Sequence, residues 1–149
     1  MESTNINDGI RSLQIIAYAF IAGVIIFMGV TVFLVKFTGG TGGGAIVGPQ
    51  LDLLIVGGFS FMCLTMSRLL PTKLLDGATP EQRRDEQQAM GFYRRATILR
   101  LAPLEGAALM AVTFTLITGK LTLLLIALFL VGMMWMARPT QTAFAEWRG

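Results

Sequence analysis

Four long apolar runs, joined by short polar or glycine-rich connections, take up most of this 149-residue chain. They lie at about 13–37, 51–70, 94–118 and 121–138, each close to the roughly 20 residues that carry a helix across a bilayer core of about 30 Å. In lipid such a run must satisfy its own backbone, which a helix does residue by residue. The pattern predicts an all-α integral membrane protein of four transmembrane helices, with residues 1–149 as a single transmembrane domain. Composition agrees: 54% of residues are apolar and 14% charged, with a mean hydropathy of +0.66, far from the balance of a soluble domain.

The net charge of +3 does not imply nucleic acid, because the basic residues stand beside the apolar runs. There they set topology and meet anionic head groups. The expected partners are the lipid bilayer and either further copies of the chain or a larger membrane complex. Histidine is absent and Cys63 is the one cysteine, so neither a histidine-based catalytic site nor an intrachain disulfide is available. No nucleophile–base pair, metal cluster or cofactor motif is legible, and neither an enzyme nor a bound cofactor or metal is expected.

The first run is too long for a signal-peptide core of about 7 to 15 residues and is expected to stay in the mature protein. The glycines of 39–48 lack the Gly-Lys-Ser/Thr ending of a phosphate loop and read as a turn. Asp52, in the first turn of the second run, suits the positive end of a helix dipole. The central connection, 73–93, holds the one extended polar region, and Thr79-Pro80-Glu81-Gln82 is a capping-box start for a short cytoplasmic helix near 80–90. The last residues, 141–149, read as a short polar tail.

Ten of the twelve basic residues fall in the central connection, its flanks and the two tails, leaving Lys36 and Lys120 in the other connections. The positive-inside rule then places both termini and the central connection in the cytoplasm.

The third run carries Glu105, the only acid well inside any apolar run. It lies on the order of 15 Å in from Arg94 by helical rise, and an ionisable group at that depth is a functional candidate by default. Arg100 is a candidate partner on the same helix, but i,i+5 is poorer spacing than i,i+4, and a partner on another helix fits at least as well. Pro103 removes a backbone donor between them and predicts a kink. Ala107 and Ala111 begin a stripe of small residues suited to close helix packing.

A weak internal repeat runs through the chain. Ala19 and Gly23 stand at one common offset from Ala102 and Gly106, and Arg11 at the same offset from Arg94. All four small residues are expected to pack helices together. The chain thus reads as two tandem helical hairpins, about 11–72 and 94–140.

The segment Leu101-Ala102-Pro103-Leu104-Glu105-Gly106-Ala107-Ala108, with Leu116-Ile117-Thr118-Gly119-Lys120 and Arg138-Pro139-Thr140 beyond it, resembles small uncharacterised bacterial four-helix membrane proteins whose third helix carries a Glu-Gly-Ala signature. The likeness covers most of the chain. It implies a multi-pass protein of the bacterial inner (cytoplasmic) membrane and no particular activity. More distantly, tandem hairpins with one intramembrane carboxylate are similar to the c subunit, or proteolipid, of rotary ATPases, which implies ring formation and proton binding. In duplicated proteolipids the acid belongs to the second helix of a hairpin, whereas Glu105 is in the first, so no site residue is carried over.

The leading expectation is a structural or accessory membrane protein that packs into a homo- or hetero-oligomer, with Glu105 as an intramembrane polar site. The alternatives are an oligomeric proton- or cation-binding protein using Glu105, and a small-solute channel or transporter. The orientation has its own test: a Gly42→Cys variant should react with a membrane-impermeant thiol reagent from outside the cell. Labelling only from the cytoplasmic side overturns it.

Overall fold

The computed structural model describes residues 2–38 and 49–148, so the glycine-rich turn expected over 39–48 lies outside the described residues. Among the described residues six helices occur in chain order: α1 (Glu2–Thr38), α2 (Pro49–Asp76), α3 (Pro80–Arg84), α4 (Glu86–Thr118), α5 (Leu123–Met136) and α6 (Gln141–Arg148). Among the described residues there is no strand. Segments of α1, α2 and α4 are long and apolar enough to cross a membrane, and α5 with α6 would make a fourth only as one pair bent by 61°.

Several boundaries differ from those the apolar runs suggest. At 37 residues α1 begins at Glu2 rather than near residue 13, and α2 continues through Pro71 to Asp76. Polar residues extend a helix as readily as apolar ones, so an apolar run marks the part suited to lipid and not the helix end. The short helix near 80–90 is divided. Thr79 and Gln82 form the capping box of α3, Asp85 then breaks the helix, and its carboxylate accepts the backbone N–H groups of Gln87 and Gln88. From Glu86 onward the chain belongs to α4, a single helix of 33 residues. It runs unbroken through Pro103 and stops at Gly119, whose φ of 70° suits a residue without Cβ. The last helix of the core, α5, has 14 residues, about 21 Å at helical rise, shorter than the run 121–138.

The central element is α4. Each of α1, α2 and α5 packs on it, while α1 and α2 scarcely meet. The first hairpin is therefore a neighbour relation in sequence and not a packed pair, and the two segments of the repeat do not fold as equivalent units. Along α4 the packed face is Ala89, Ala96, Leu101, Leu104, Ala107, Ala108, Ala111, Val112 and Thr115. Its middle joins Ala17, Ile21 and Val24 of α1, Cys63 of α2 and Leu130 and Met134 of α5. Further along, Ala111 and Val112 meet Val56, Leu123 and Ala127.

At the other end a separate cluster forms from Ile10, Leu13, Ala89, Tyr93 and Phe144. Thus α1 and α4 start side by side and run parallel, and α6 folds back over their beginnings. Large apolar residues remain exposed on α1, α2 and α5, among them Ile26, Leu54, Phe61 and Leu125.

This arrangement predicts opposite responses at two neighbouring positions of α4. Ala108 is fully buried, so Ala108→Leu should cost about 1–3 kcal/mol by overpacking. Nothing lies within 4 Å of a Cβ added at Gly106, so Gly106→Ala should leave the thermal midpoint of the dispersed single chain unchanged or slightly raised. Equal losses in the two variants overturn α4 as the packed axis.

Candidate functional site

Glu105 and Arg100 sit on α4, but they do not meet. Five residues of helix turn about 140°, so the two side chains leave α4 in different directions. Among the described residues the ion pairs are Lys120–Asp52 and Arg148–Glu86. Glu105 is half-buried, with neither a hydrogen bond nor an ion pair to any described residue. Its neighbours on the same side of the helix, Ala102 and Gly106, are exposed. The carboxyl therefore stands at the margin of an outward face lined by small residues.

The small residues divide in the same way. Ala107 and Ala111 are fully buried against the other helices. Ala19, Gly23, Ala102 and Gly106 are exposed, and nothing lies within 4 Å of a Cβ added at Gly23 or Gly106. Within one chain these four are not packed against another helix. Their i,i+4 spacing puts two residues on one face without saying which way the face turns.

Arg100 faces a gap. One turn to either side of it, Ala96 and Leu104 are buried, yet Arg100 is exposed, because α2 and α5 spread apart over it. The result is a cavity of about 480 Å³ walled by α2, α4 and α5. Arg68 of α2 lines it together with Arg100, and Leu75, Leu104, Met133 and Met136 supply apolar wall. Two hydroxyls in the lining are already used: Ser67 donates to the carbonyl of Leu64 at 2.8 Å and Thr72 to that of Arg68 at 2.7 Å.

At the opposite end Lys120 donates to Asp52 Oδ2 at 2.8 Å. Asp52 is fully buried, whereas the Lys120 side chain keeps 28% of its surface exposed. Asp52 thus remains in the first turn of α2, where the helix dipole favours it, and also ties α2 to the α4–α5 turn. Its Oδ1 is buried without a partner. Sequence reasoning assigned Asp52 a capping role and missed the pair. The signal was available: antiparallel α2 and α4 put the start of one beside the end of the other.

The polar tail also proves to be structure. Phe144 of α6 is buried, with its ring edge-on to Tyr93 at 5.1 Å between centroids. Trp147 lies under the Arg83 guanidinium at 5.5 Å. Arg148 pairs with Glu86 at 2.9 Å and donates to the carbonyls of Arg83 and Arg84. Arg83 in turn donates to the carbonyl of Leu75 near the end of α2. Phe144 and Trp147, three residues apart, were the missed sign of an amphipathic last helix.

Among the described residues no group of three His, Cys, Asp or Glu side chains is placed to hold a metal. Compared with known protein families, curated proteins and solved structures, the chain finds no match in any of the three.

Because Asp52 is the fully buried partner, removing its cation is the harsher change. Lys120→Met should lower stability by on the order of 2 kcal/mol or more, since an uncompensated charge then stays buried. Asp52→Asn should cost less, because Lys120 already reaches solvent. The combined variant should recover part of the Lys120→Met loss in a double-mutant cycle of thermal midpoints. Strictly additive losses would show that the pair does not couple the helices.

Proposed function

We infer that the protein is a structural or accessory membrane component that assembles with other chains, homo- or hetero-oligomerically, through the face of α4 bearing Glu105. The supporting observation is the carboxyl itself: it lies in the middle of a long apolar helix and has no partner among the described residues of its own chain. A polar group at that depth is costly when left alone, and a partner from a second chain removes the cost. The small exposed neighbours Ala102 and Gly106 let another helix approach closely enough for a hydrogen bond to form. In this reading the four helices cross the bacterial inner membrane with both termini in the cytoplasm, and Glu105 is an assembly contact rather than a catalytic group.

The carboxyl also motivates the proton- or cation-binding alternative, and one pair of variants separates the two. Under the assembly reading, Glu105→Gln keeps a hydrogen-bonding group and should preserve the native size of the detergent-solubilised complex. Glu105→Leu should shift that complex to smaller species while leaving the folding stability of the single chain unchanged or higher. A Leu variant of unaltered native size removes the assembly reading. Loss of pH-dependent cation or proton uptake in a fully assembled Gln variant establishes the alternative.

A further inference from the structure

A further feature with no ion pair among the described residues is the pair of arginines in the cavity between α2, α4 and α5. Arg100 projects from the side of α4 that is otherwise packed, and it stays exposed only because the neighbouring helices part there. Arg68 enters the same cavity from α2. Among the described residues neither makes an ion pair with a carboxylate, although the chain holds nine acids.

We propose that this cavity binds the phosphate of an anionic phospholipid, with Arg68 and Arg100 as the two donors. A guanidinium presents parallel N–H groups that match phosphate oxygens two at a time. Two of them converging on one cavity favour an anion with several acceptor oxygens. The hydroxyl protons of Ser67 and Thr72 are committed to backbone carbonyls, which leaves the guanidiniums as the free side-chain donors.

The remaining wall decides between a lipid and a dissolved phosphate. Leu75, Leu104, Met133 and Met136 line the cavity beside the charges, and Met136 is 81% exposed. A soluble anion gains nothing from such a surface, whereas the upper part of an acyl chain does. The volume of about 480 Å³ lies within the range of about 300–1,000 Å³ typical of small-ligand sites. Depth agrees as well: Arg100 lies six residues beyond Arg94, about 9 Å along the helix. That is where an arginine side chain reaches back toward head groups.

The test is lipid retention by the whole chain, reconstituted in vesicles with equal phosphatidylglycerol and phosphatidylcholine, extracted in mild detergent and read by native mass spectrometry. Wild type should retain phosphatidylglycerol preferentially, with each arginine worth about a fivefold preference. The Arg68→Gln/Arg100→Gln double variant should retain both lipids equally. Arg95→Gln, an exposed arginine at the same end of α4 but outside the cavity, should behave as wild type. If the double variant does not fold, the two single variants, each expected to lose about fivefold, decide the matter.

Three results overturn the proposal. One is wild type without a preference. Another is an equal loss in Arg95→Gln, which would reduce the effect to general surface charge. The third is displacement of the lipid by excess inorganic phosphate, which would assign the cavity to a soluble phosphate compound.

Discussion

The fold depends on how closely other helices can approach α4. Helices placed in lipid would gain little from hiding apolar side chains from each other's surroundings, so their association there would rest on close van der Waals contact and a few polar bonds. The packed side of α4 meets that requirement with Ala107, Ala108 and Ala111, all fully buried, at the level where α1, α2 and α5 converge. Beside these alanines, Leu101, Leu104 and Val112 fill the spaces between the backbones. One helix thus carries three partners, and α1 and α2 need not touch.

Beyond the central layer the two ends are fastened by different physics. At the end where α1 and α4 begin, Ile10, Leu13, Tyr93 and Phe144 form a small separate core. There α6 is held by aromatic contacts and by Arg148 on Glu86. At the other end an ion pair, Asp52 with Lys120, joins α2 to the α4–α5 turn. Between these fastenings α2 and α5 part over Arg100. The opening is therefore a consequence of where the tight contacts lie.

Much of the architecture was legible in the residues. Apolar run length located the long helices, and Thr79 and Gln82 announced the start of α3. The rest was hidden for definite reasons. Helix ends extend past the apolar runs because hydropathy reports solvent preference and not backbone conformation, as α1 shows by starting at Glu2. The i,i+4 rule put Ala19 with Gly23 and Ala102 with Gly106 correctly on shared faces, but the direction of a face depends on neighbours that a local pattern does not name. Arg100 and Glu105 were grouped by proximity in sequence, and helical twist separates them. Asp52 was read within its own helix, whereas its partner comes from 68 residues away.

The Glu105 face of α4 is left uncovered by its own chain, and the central claim is that another chain covers it. Gly106 is exposed beside Glu105, so a Gly106→Cys variant in a Cys63→Ser background places one thiol on that face. Oxidative cross-linking in native membranes is then the direct measurement. A disulfide-linked dimer from Gly106→Cys, absent when the cysteine is placed instead at exposed Phe129 of α5, or a bismaleimide-linked heteromeric product where the partner chain carries a cysteine there, is the expected result. A chain that stays at its single-chain mass under both reagents, while remaining folded and membrane-bound, contradicts it.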